Sequence, residues 1–271
     1  MTSDGNRFHH TEVGGPVARV LLLFSITWTT IPRVLRMRRS AMESRRKRRC
    51  PGGVFLTLEG PEGSGKSTQI RLLGTALRNA GYLVIYTREP GGTKTAEAIR
   101  KVLLSATSKE PITPETEALL VLAARSQHVT HFIRPALARG SIVLCDRFAD
   151  STFAYQGYGR GLSLPWLEMV NRAATGGLMP HLTLLFDLPA SVGLARRRRT
   201  RGTSNRLDRE SEQFHGRVRR GFLRLASRSP RRIKLVNANR PVNVVQAEIA
   251  GLVLGWLRAR ERRKGASQHA F

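Results

Sequence analysis

The sequence predicts an α/β protein built on a five-stranded parallel sheet flanked by helices. Short apolar runs, typical of buried strands, alternate with segments of helical spacing. A glycine-rich stretch lies between the first run and the first helical segment. Strands alternating with helices indicate βαβ units, which bind ligands at the carboxyl ends of their strands. We therefore expect the functional site at that edge of the sheet.

The individual elements follow from hydrophobic periodicity and from glycine or proline stops. The predicted strands are 54–60, 82–87, 141–145, 182–188 and 232–238. The predicted helices are 67–80, 94–104, 114–138, 189–199, 209–227 and 242–260. There is no internal repeat, so we predict one domain over residues 54–262 and a short tail over 263–271.

Residues 1–53 differ from this pattern and form a basic extension. Its apolar stretch, Val20–Ile31, is shorter than the roughly 20 residues that span a bilayer, and a basic run follows it without a small-residue cleavage pattern. Three interpretations stay open: a targeting or membrane-surface segment, a disordered basic tail, or an upstream start codon with Met37 or Met42 as the true beginning. We favour the last two. Residues 50–53 are interpreted as a linker.

The charge is strongly basic, with 46 Lys and Arg against 19 Asp and Glu and a formal net charge of +27. This balance favours polyanionic partners, such as nucleic acid, anionic membrane or phosphorylated ligands. Because basic residues occur along the whole chain, a general enrichment in arginine explains the charge equally well. The two cysteines are too few for a disulfide framework, which predicts a reducing, cytoplasmic location. We expect Cys145, which ends an apolar run, to be buried.

The glycine-rich stretch fits the phosphate-binding pattern G-x-x-x-x-G-K-[ST] between a predicted strand and a predicted helix. Its backbone N–H groups would hold phosphate oxygens, Lys66 would reach the β- and γ-phosphates, and the Ser67 hydroxyl would ligate Mg²⁺. The helix N-terminus adds a dipole that favours anions. The predicted ATP-binding residues are Gly60, Pro61, Glu62, Gly63, Ser64, Gly65, Lys66, Ser67 and Thr68.

A carboxylate at a strand end is the expected second metal-associated group of such a site. Two residues qualify, Asp146 after the third strand and Asp187 after the fourth. We prefer Asp146 because Arg147 follows it, and a neighbouring guanidinium suits Mg²⁺-phosphate chemistry.

Several ordered motifs resemble those of the bacterial thymidylate kinases over roughly residues 54–260. They are LEGPEGSGKST (58–68), TREPGGT (87–93), AARSQH (123–128), DRFADSTFAYQGYGRG (146–161) and FHGRVRRGFLRLA (214–226). The resemblance implies a P-loop NTPase fold of the nucleoside monophosphate kinase type with an Arg-rich lid. It also implies Mg²⁺-dependent transfer of the ATP γ-phosphoryl to dTMP in dTTP synthesis, by a cytoplasmic homodimer. Neither nucleic acid nor membrane is then an expected partner of the kinase domain.

The resemblance also assigns residues to the acceptor nucleotide. Arg88 and Arg147 would bind its phosphate, Arg125 its thymine base, and Glu62 its 3′-hydroxyl. The nucleoside would be enclosed by Ser151, Thr152, Tyr155 and Gln156, with Tyr155 crowding a 2′-hydroxyl. The family commonly stacks thymine on a Phe four residues before Arg125, where this chain has Val121. A neighbouring aromatic could replace it. We expect Gln127 and His128 to be packing or surface residues rather than chemical groups.

The arginine-rich segment at 196–209 is the predicted lid. The phosphate loop carries no arginine of its own, which resembles the subtype that places catalytic arginines in the lid. We select Arg201 and Arg206 and count them with Lys66 and Arg147 as catalytic. The family's usual DR-x-E pattern is altered here by Asn205 and Asp208.

Three alternatives remain at this level. Val121 leaves open another deoxynucleotide or nucleoside kinase of the same fold. The net charge leaves open a nucleic-acid-binding P-loop protein, although RNA-module signatures are absent from the sequence. The altered lid leaves open a divergent copy that folds but catalyses poorly.

Overall fold

The computed structural model describes residues 48–105, 110–199 and 205–268, with side chains up to 263. Within these ranges five strands form one fully parallel sheet. The strands are β1 (Val54–Glu59), β2 (Val84–Arg88), β3 (Ile142–Asp146), β4 (Leu182–Asp187) and β5 (Ile233–Asn237). Their order is β2-β3-β1-β4-β5, so β1 and β3 are neighbours at the centre. The predicted five-stranded parallel sheet is confirmed.

Helices cover both faces of the sheet. They are α1 (Lys66–Asn79), α2 (Lys94–Leu104), α3 (Pro114–His128), α4 (Arg134–Ala138), α5 (Ala149–Thr152), α6 (Leu164–Thr175), α7 (Ala190–Arg199), α8 (Glu212–Arg228) and α9 (Val242–Gln268). Two π-helical segments, Val129–Ile133 and Phe153–Gly159, continue α3 and α5, and a 3₁₀ turn spans Leu207–Arg209. Side-chain caps begin several helices, as Thr113 does for α3 by accepting from the Thr116 N–H.

The strands appear in the sequence as unbroken apolar runs because they are buried on both faces of the sheet. All six residues of β1 are buried, and five of the six in β4 are buried as well, because helices cover both faces. The core on one face joins β1, α1 and α9, and the core on the other face joins β3 and α4 around Phe55 and Phe148. Cys145 is fully buried, as predicted.

The structure departs from the sequence-based element assignment in three places. The predicted helix 114–138 is interrupted by the π-helical segment Val129–Ile133. The segments 149–159 and 164–175, to which no helix was assigned, are helical. The expected linker at 50–53 packs onto the domain, because Cys50 is buried and its N–H donates to the Gly140 carbonyl.

No helix in the described part of the chain is long and apolar enough to cross a bilayer.

Candidate active site

A cleft of about 530 Å³ opens at the carboxyl ends of the central strands. Its volume is in the usual range for small-molecule sites, about 300–1,000 Å³. One wall is the loop between β1 and α1, and the opposite wall comes from α3, α5 and the π-helical segment after α5. Residues from the predicted lid, Arg196, Arg197, Asn205 and Leu207, complete the lining.

The loop between β1 and α1 is shaped by glycines at positions where no side chain fits. A Cβ atom on Gly60 would lie 2.3 Å from the Phe186 carbonyl oxygen, and one on Gly63 would lie 2.0 Å from the Gly193 carbonyl oxygen. Both residues have positive φ. The loop thus lies directly against β4 and α7, which leaves its inner side to the cleft.

Lys66 is buried at the start of α1 and reaches back over this loop. Its Nζ donates to the Gly60 and Pro61 carbonyl oxygens at 3.0 and 2.8 Å and to the Ser64 hydroxyl at 3.1 Å. Burial and the nearby Arg147 lower the pKa of Lys66 to about 8, against the opposing effect of Glu62. A phosphate beside this ammonium would favour its charged form.

The two predicted metal-associated residues meet across the central strands. The Ser67 hydroxyl donates to Asp146 Oδ2 at 2.9 Å, as expected from the adjacency of β1 and β3. Asp187 instead forms an ion pair with Arg219 at 2.7 Å, which supports the preference for Asp146. A hydroxyl and a carboxylate are hard oxygen donors, which fit an Mg²⁺ ion that keeps several waters and phosphate oxygens. Groups of three or more His, Cys, Asp or Glu able to hold a metal are absent from the described residues.

Arg147 connects the phosphate-binding loop to the opposite wall. Its Nη1 donates to the Gly60 carbonyl at 3.0 Å and to the Ser151 hydroxyl at 3.1 Å, and its Nη2 lies 2.7 Å from Glu62 Oε1. The backbone has φ 72°, unusual for a residue other than glycine. Such strain is typical of functional positions.

Glu62 lies between Arg147 and Tyr155. The Tyr155 hydroxyl donates to Glu62 Oε1 at 3.1 Å. Burial favours a higher pKa for Glu62, but Arg147 and Lys66 outweigh it and lower the pKa to about 2. Burial raises the pKa of Tyr155, so its hydroxyl stays protonated. The cleft therefore presents an ionised carboxylate beside a phenol.

Arg125 is almost completely buried on α3 and has buried partners. Its Nε donates to Glu89 Oε2 at 2.7 Å and its Nη1 donates to Asn171 Oδ1 at 2.9 Å. The guanidinium lies over the Phe148 ring at 4.9 Å from the centroid. Phe148 lines the cleft together with Val121 and Arg125, so the cleft has an aromatic ring although position 121 is a valine.

His128 continues this buried network beyond Glu89. Its Nδ1 lies 2.9 Å from Glu89 Oε1 and its Nε2 lies 2.6 Å from the Thr87 hydroxyl. His128 is fully buried and does not line the cleft, in line with the predicted packing role.

Arg88 lines the cleft at the end of β2 and remains half-exposed. Its Nη2 pairs with Glu97 Oε2 at 3.0 Å, and the Glu97 Oε1 accepts from the Gly92 N–H at the same distance. Arg100, which also lines the cleft, donates to the Pro90 carbonyl. Two guanidinium groups, those of Arg88 and Arg100, therefore line the cleft near the end of β2.

Three predicted wall residues follow Arg147 in the chain. Ser151 donates to the buried Glu59 at 2.5 Å, Gln156 donates to Glu117 at 2.7 Å, and Thr152 has a buried hydroxyl that lacks a hydrogen-bond partner within the described residues. All three line the cleft.

Neither of the two lid arginines predicted to be catalytic, Arg201 and Arg206, is seen at the cleft within the described residues. Arg201 lies outside the described residues. Arg206 does not line the cleft; its Nη2 donates to Glu117 Oε2 at 2.6 Å and its Nε to the Leu103 carbonyl at 3.2 Å. In this conformation it would have to leave Glu117 to reach a phosphate, and its catalytic role stays a prediction.

Arg196 and Arg197 are the two arginines of the predicted lid that line the cleft within the described residues, and sequence reasoning selected neither. Arg196 donates to the Ala238 carbonyl and to Asn239. Arg197 is held by the neighbouring turn. It pairs with Asp208 at 2.9 Å, and Asn205 and Asp208 each accept the other's backbone N–H at 3.0 Å. The two departures from the family pattern thus build a turn that holds Arg197 at the cleft.

Sequence reasoning also missed several supporting residues: Glu59, Glu89, Arg100, Glu117, Phe148 and Asn171. A usable signal existed for the carboxylates. Glu59 ends an apolar strand, Glu89 follows Arg88 in the TREPGGT motif, and Glu117 lies two helical turns before Arg125. A charged residue at a buried position requires a partner.

Comparisons with known proteins match this chain to one family. A family model described as thymidylate kinase matches residues 58–249. The chain is 56% identical over 191 residues to a thymidylate kinase of Thermomicrobium roseum, covering 70% of this chain and 90% of that protein. It is 51% identical over 203 residues to one of Pseudomonas putida, covering 75% and 96%. The crystal structure of a thymidylate kinase from Ehrlichia chaffeensis superposes with a TM-score of 0.61 at 33% identity, covering 75% and 99%.

Proposed function

Because the chain belongs to the thymidylate kinase family, it transfers the γ-phosphoryl of ATP to dTMP, and we propose that the cleft at the end of the central strands carries out this transfer. The observation that carries the assignment is the position of Arg147, which contacts Gly60 and Glu62 of the phosphate-binding loop and Ser151 of the opposite wall. A cation between two nucleotide sites lies where the transferred group must pass.

On the donor side, ATP binds along the loop 60–68. Backbone N–H groups of the loop and the N-terminus of α1 receive the phosphates, and Lys66 exchanges its carbonyl partners for phosphate oxygens. Ser67 and Asp146 would hold Mg²⁺, which would supply positive charge beside the β- and γ-phosphates. The donor set of hydroxyl and carboxylate supports this metal.

On the acceptor side, Arg88 and Arg147 bind the dTMP phosphate, and Arg125 hydrogen-bonds the base. Glu62 accepts from the sugar hydroxyl, and Tyr155 closes the position of a 2′-hydroxyl. The base lies against Phe148 and Val121, since both line the cleft, the Arg125 guanidinium lies over the Phe148 ring, and Val121 is one helical turn before Arg125. Ser151, Thr152 and Gln156 complete the wall.

The chemistry requires positioning and charge stabilisation rather than a strong base. A phosphate acceptor is already ionised near neutral pH, so its oxygen attacks the γ-phosphorus in line with the departing ADP oxygen. Lys66 and Arg147 stabilise the charge on the transferring group. Closure of the lid over ATP excludes water and suppresses hydrolysis.

The assembly and the limits of the domain are also proposals. We propose a homodimer in the cytoplasm, formed through helices, with residues 54–262 as the kinase domain, 1–53 as an extension and 263–271 as a tail. Leu119 on α3 and Met169 on α6 support a helical interface, because they are 50% and 63% exposed on two helices that contact each other.

The test is coupled ADP release with Mg·ATP and dTMP, dUMP, dCMP or thymidine, on the full chain and on the chain beginning at Met42. We expect turnover on dTMP to exceed the other acceptors and background hydrolysis in both proteins. Lys66→Ala should lower kcat/KM by at least about 10²-fold, whereas Lys101→Ala, an exposed lysine on α2, should not. Near-normal turnover by Lys66→Ala would overturn the proposed site.

A further inference from the structure

Glu117 is a fully buried carboxylate that joins three separate segments. Its Oε1 accepts from Gln156 Nε2 at 2.7 Å, and its Oε2 accepts from Arg206 Nη2 at 2.6 Å and from Arg160 Nη2 at 3.0 Å. Burial favours a higher pKa for Glu117, but hydrogen bonds from Arg160, Gln156 and Arg206 outweigh it and lower the pKa. Glu117 is therefore ionised at neutral pH.

An ionised partner determines which way the Gln156 amide points. A carboxylate only accepts hydrogen bonds, so the amide must turn its NH₂ group toward Glu117. The Oε1 of Gln156 is then the amide atom left for another partner. Because Gln156 lines the cleft, its Oε1 can accept a hydrogen bond from a ligand, while Glu117 holds one N–H of Nε2 at the other end of the amide.

Arg125 supplies the opposite polarity on the same wall. Its Nε and Nη1 are engaged by Glu89 and Asn171, and its remaining N–H groups can only donate. A donor and an acceptor together match a pyrimidine with a 4-oxo group and an N3–H. A 4-amino pyrimidine has the reverse polarity, with an amino donor and an N3 acceptor. Mismatched buried polar groups give strong discrimination between such ligands.

We propose that Glu117 is a positioning residue for base discrimination, which holds the Gln156 amide with its oxygen toward N3 of the acceptor base. Glu117 does not itself line the cleft, so it acts through Gln156. It occupies the same face of α3 as Val121 and Arg125, at spacings of four residues, so one helix face organises the base site. The inference rests on the proposed placement of the base beside Arg125.

The test is the ratio of kcat/KM for dTMP to that for dCMP in Glu117→Gln. The new amide would accept from Arg160 and Arg206 through its oxygen and turn its NH₂ toward Gln156, which would reverse the Gln156 amide. We expect the ratio to fall about tenfold, as for one reversed hydrogen bond. Arg160→Gln is the matched control, because it loosens the same cluster but keeps the carboxylate, and it should retain the ratio.

Two further variants separate this proposal from the placement of the base. Gln156→Leu should lower the ratio of kcat/KM for dTMP to that for dCMP. The double variant Glu117→Gln/Gln156→Leu should have the same ratio as Gln156→Leu alone, because Glu117 acts only through Gln156. An unchanged ratio in Gln156→Leu would overturn the base site itself. If Gln156→Leu lowers the ratio but Glu117→Gln lowers kcat/KM equally for dTMP and dCMP, the proposed base site stands and the proposed role of Glu117 is wrong. If Glu117→Gln does not fold, Glu117→Asp, which withdraws the carboxylate by one methylene, replaces it in the same comparison.

Discussion

At the scale of single residues, carboxylates hold the cleft's arginines in place. Glu89 binds Arg125, Glu62 binds Arg147, and Asp208 binds Arg197. A buried guanidinium is costly unless it is paired, and each pair also sets the direction in which the arginine presents its free N–H groups. The carboxylates therefore determine how these arginines are placed in the cleft.

The Arg125–Glu89 pair predicts a large loss of stability on Glu89→Gln. The two side chains are 1% and 3% exposed, so the substitution leaves an uncompensated buried charge. We expect the free energy of unfolding to fall by about 3 kcal/mol or more, measured by urea denaturation.

Glu97→Gln is the matched control for this prediction, because Glu97 pairs with the neighbouring Arg88 at the surface, with side chains 38% and 55% exposed. That substitution should cost no more than about 1 kcal/mol. Equal losses in the two variants would show that burial does not govern these pairs.

At the scale of elements, two irregular segments shape the cleft. The π-helical segment Phe153–Gly159 carries Tyr155 and Gln156, and the turn around Leu207–Arg209 holds Arg197 through Asp208. Single π-turns occur frequently at functional sites, since they redirect side chains by widening the helix. Both irregular segments therefore contribute residues to the lining of the cleft.

The positions of the lid arginines predict unequal effects of substitution. Arg197→Ala removes a cation that lines the cleft and should lower kcat by about 10²–10³-fold. Arg206→Ala removes a partner of Glu117 outside the cleft and should lower kcat less. Steady-state kinetics at saturating dTMP and ATP measure both values.

A larger loss of kcat in Arg206→Ala than in Arg197→Ala would contradict this order. It would indicate that Arg206 leaves Glu117 during the reaction, as its predicted catalytic role requires.

At the scale of the whole molecule, a buried carboxyl group lies where the central strand meets the site. Glu59 ends β1, is fully buried, and accepts from the Phe148 N–H at 2.7 Å and from the Ser151 hydroxyl. Burial and the nearby Asp150 raise the pKa of Glu59 to about 8, although Ser151 and Arg147 oppose the shift. Arg232 forms an ion pair with Asp150 at 2.6 Å, so the charged groups near the Glu59 carboxyl include Asp150, Arg232 and Arg147.

This shift predicts a pH-dependent stability with a defined sign. The protonated Glu59 carboxyl group favours the folded protein, because its pKa is about 8 there against 4.5 for an ordinary glutamate. This contribution to the free energy of unfolding is complete below pH 4.5 and is lost as the pH rises to about 8. The free energy of unfolding should fall by about 1 kcal/mol per pH unit from this group between those values.

Glu59→Gln cannot titrate and provides the comparison. The difference in unfolding free energy between wild type and variant, from denaturation at pH 5.5, 6.5 and 7.5, should shift steadily in favour of the variant. A difference that stays constant over this range would show that Glu59 is already ionised in the folded protein.

The fold and the phosphate-binding side of the site could be predicted from the sequence because their signals are local. A strand, a glycine-rich loop and a helix that begins with Lys66 and Ser67 are consecutive, and the carboxyl ends of parallel strands meet at one edge, which places Asp146 beside Ser67. The motifs of the acceptor side likewise named Arg88, Arg125 and Arg147, which line one cleft.

The tertiary structure alone decided which groups hold those residues and which of the described lid arginines line the cleft. Glu117 meets Gln156 and Arg206 across 39 and 89 residues of chain, and Arg125 meets Asn171 across 46. No periodicity in the sequence encodes such pairs, because they arise when a buried charge accepts the partner that packing brings nearest. The sequence by itself therefore determined the sheet, the loop between β1 and α1 and the family, and the folded protein decided which partners orient the side chains that line the cleft.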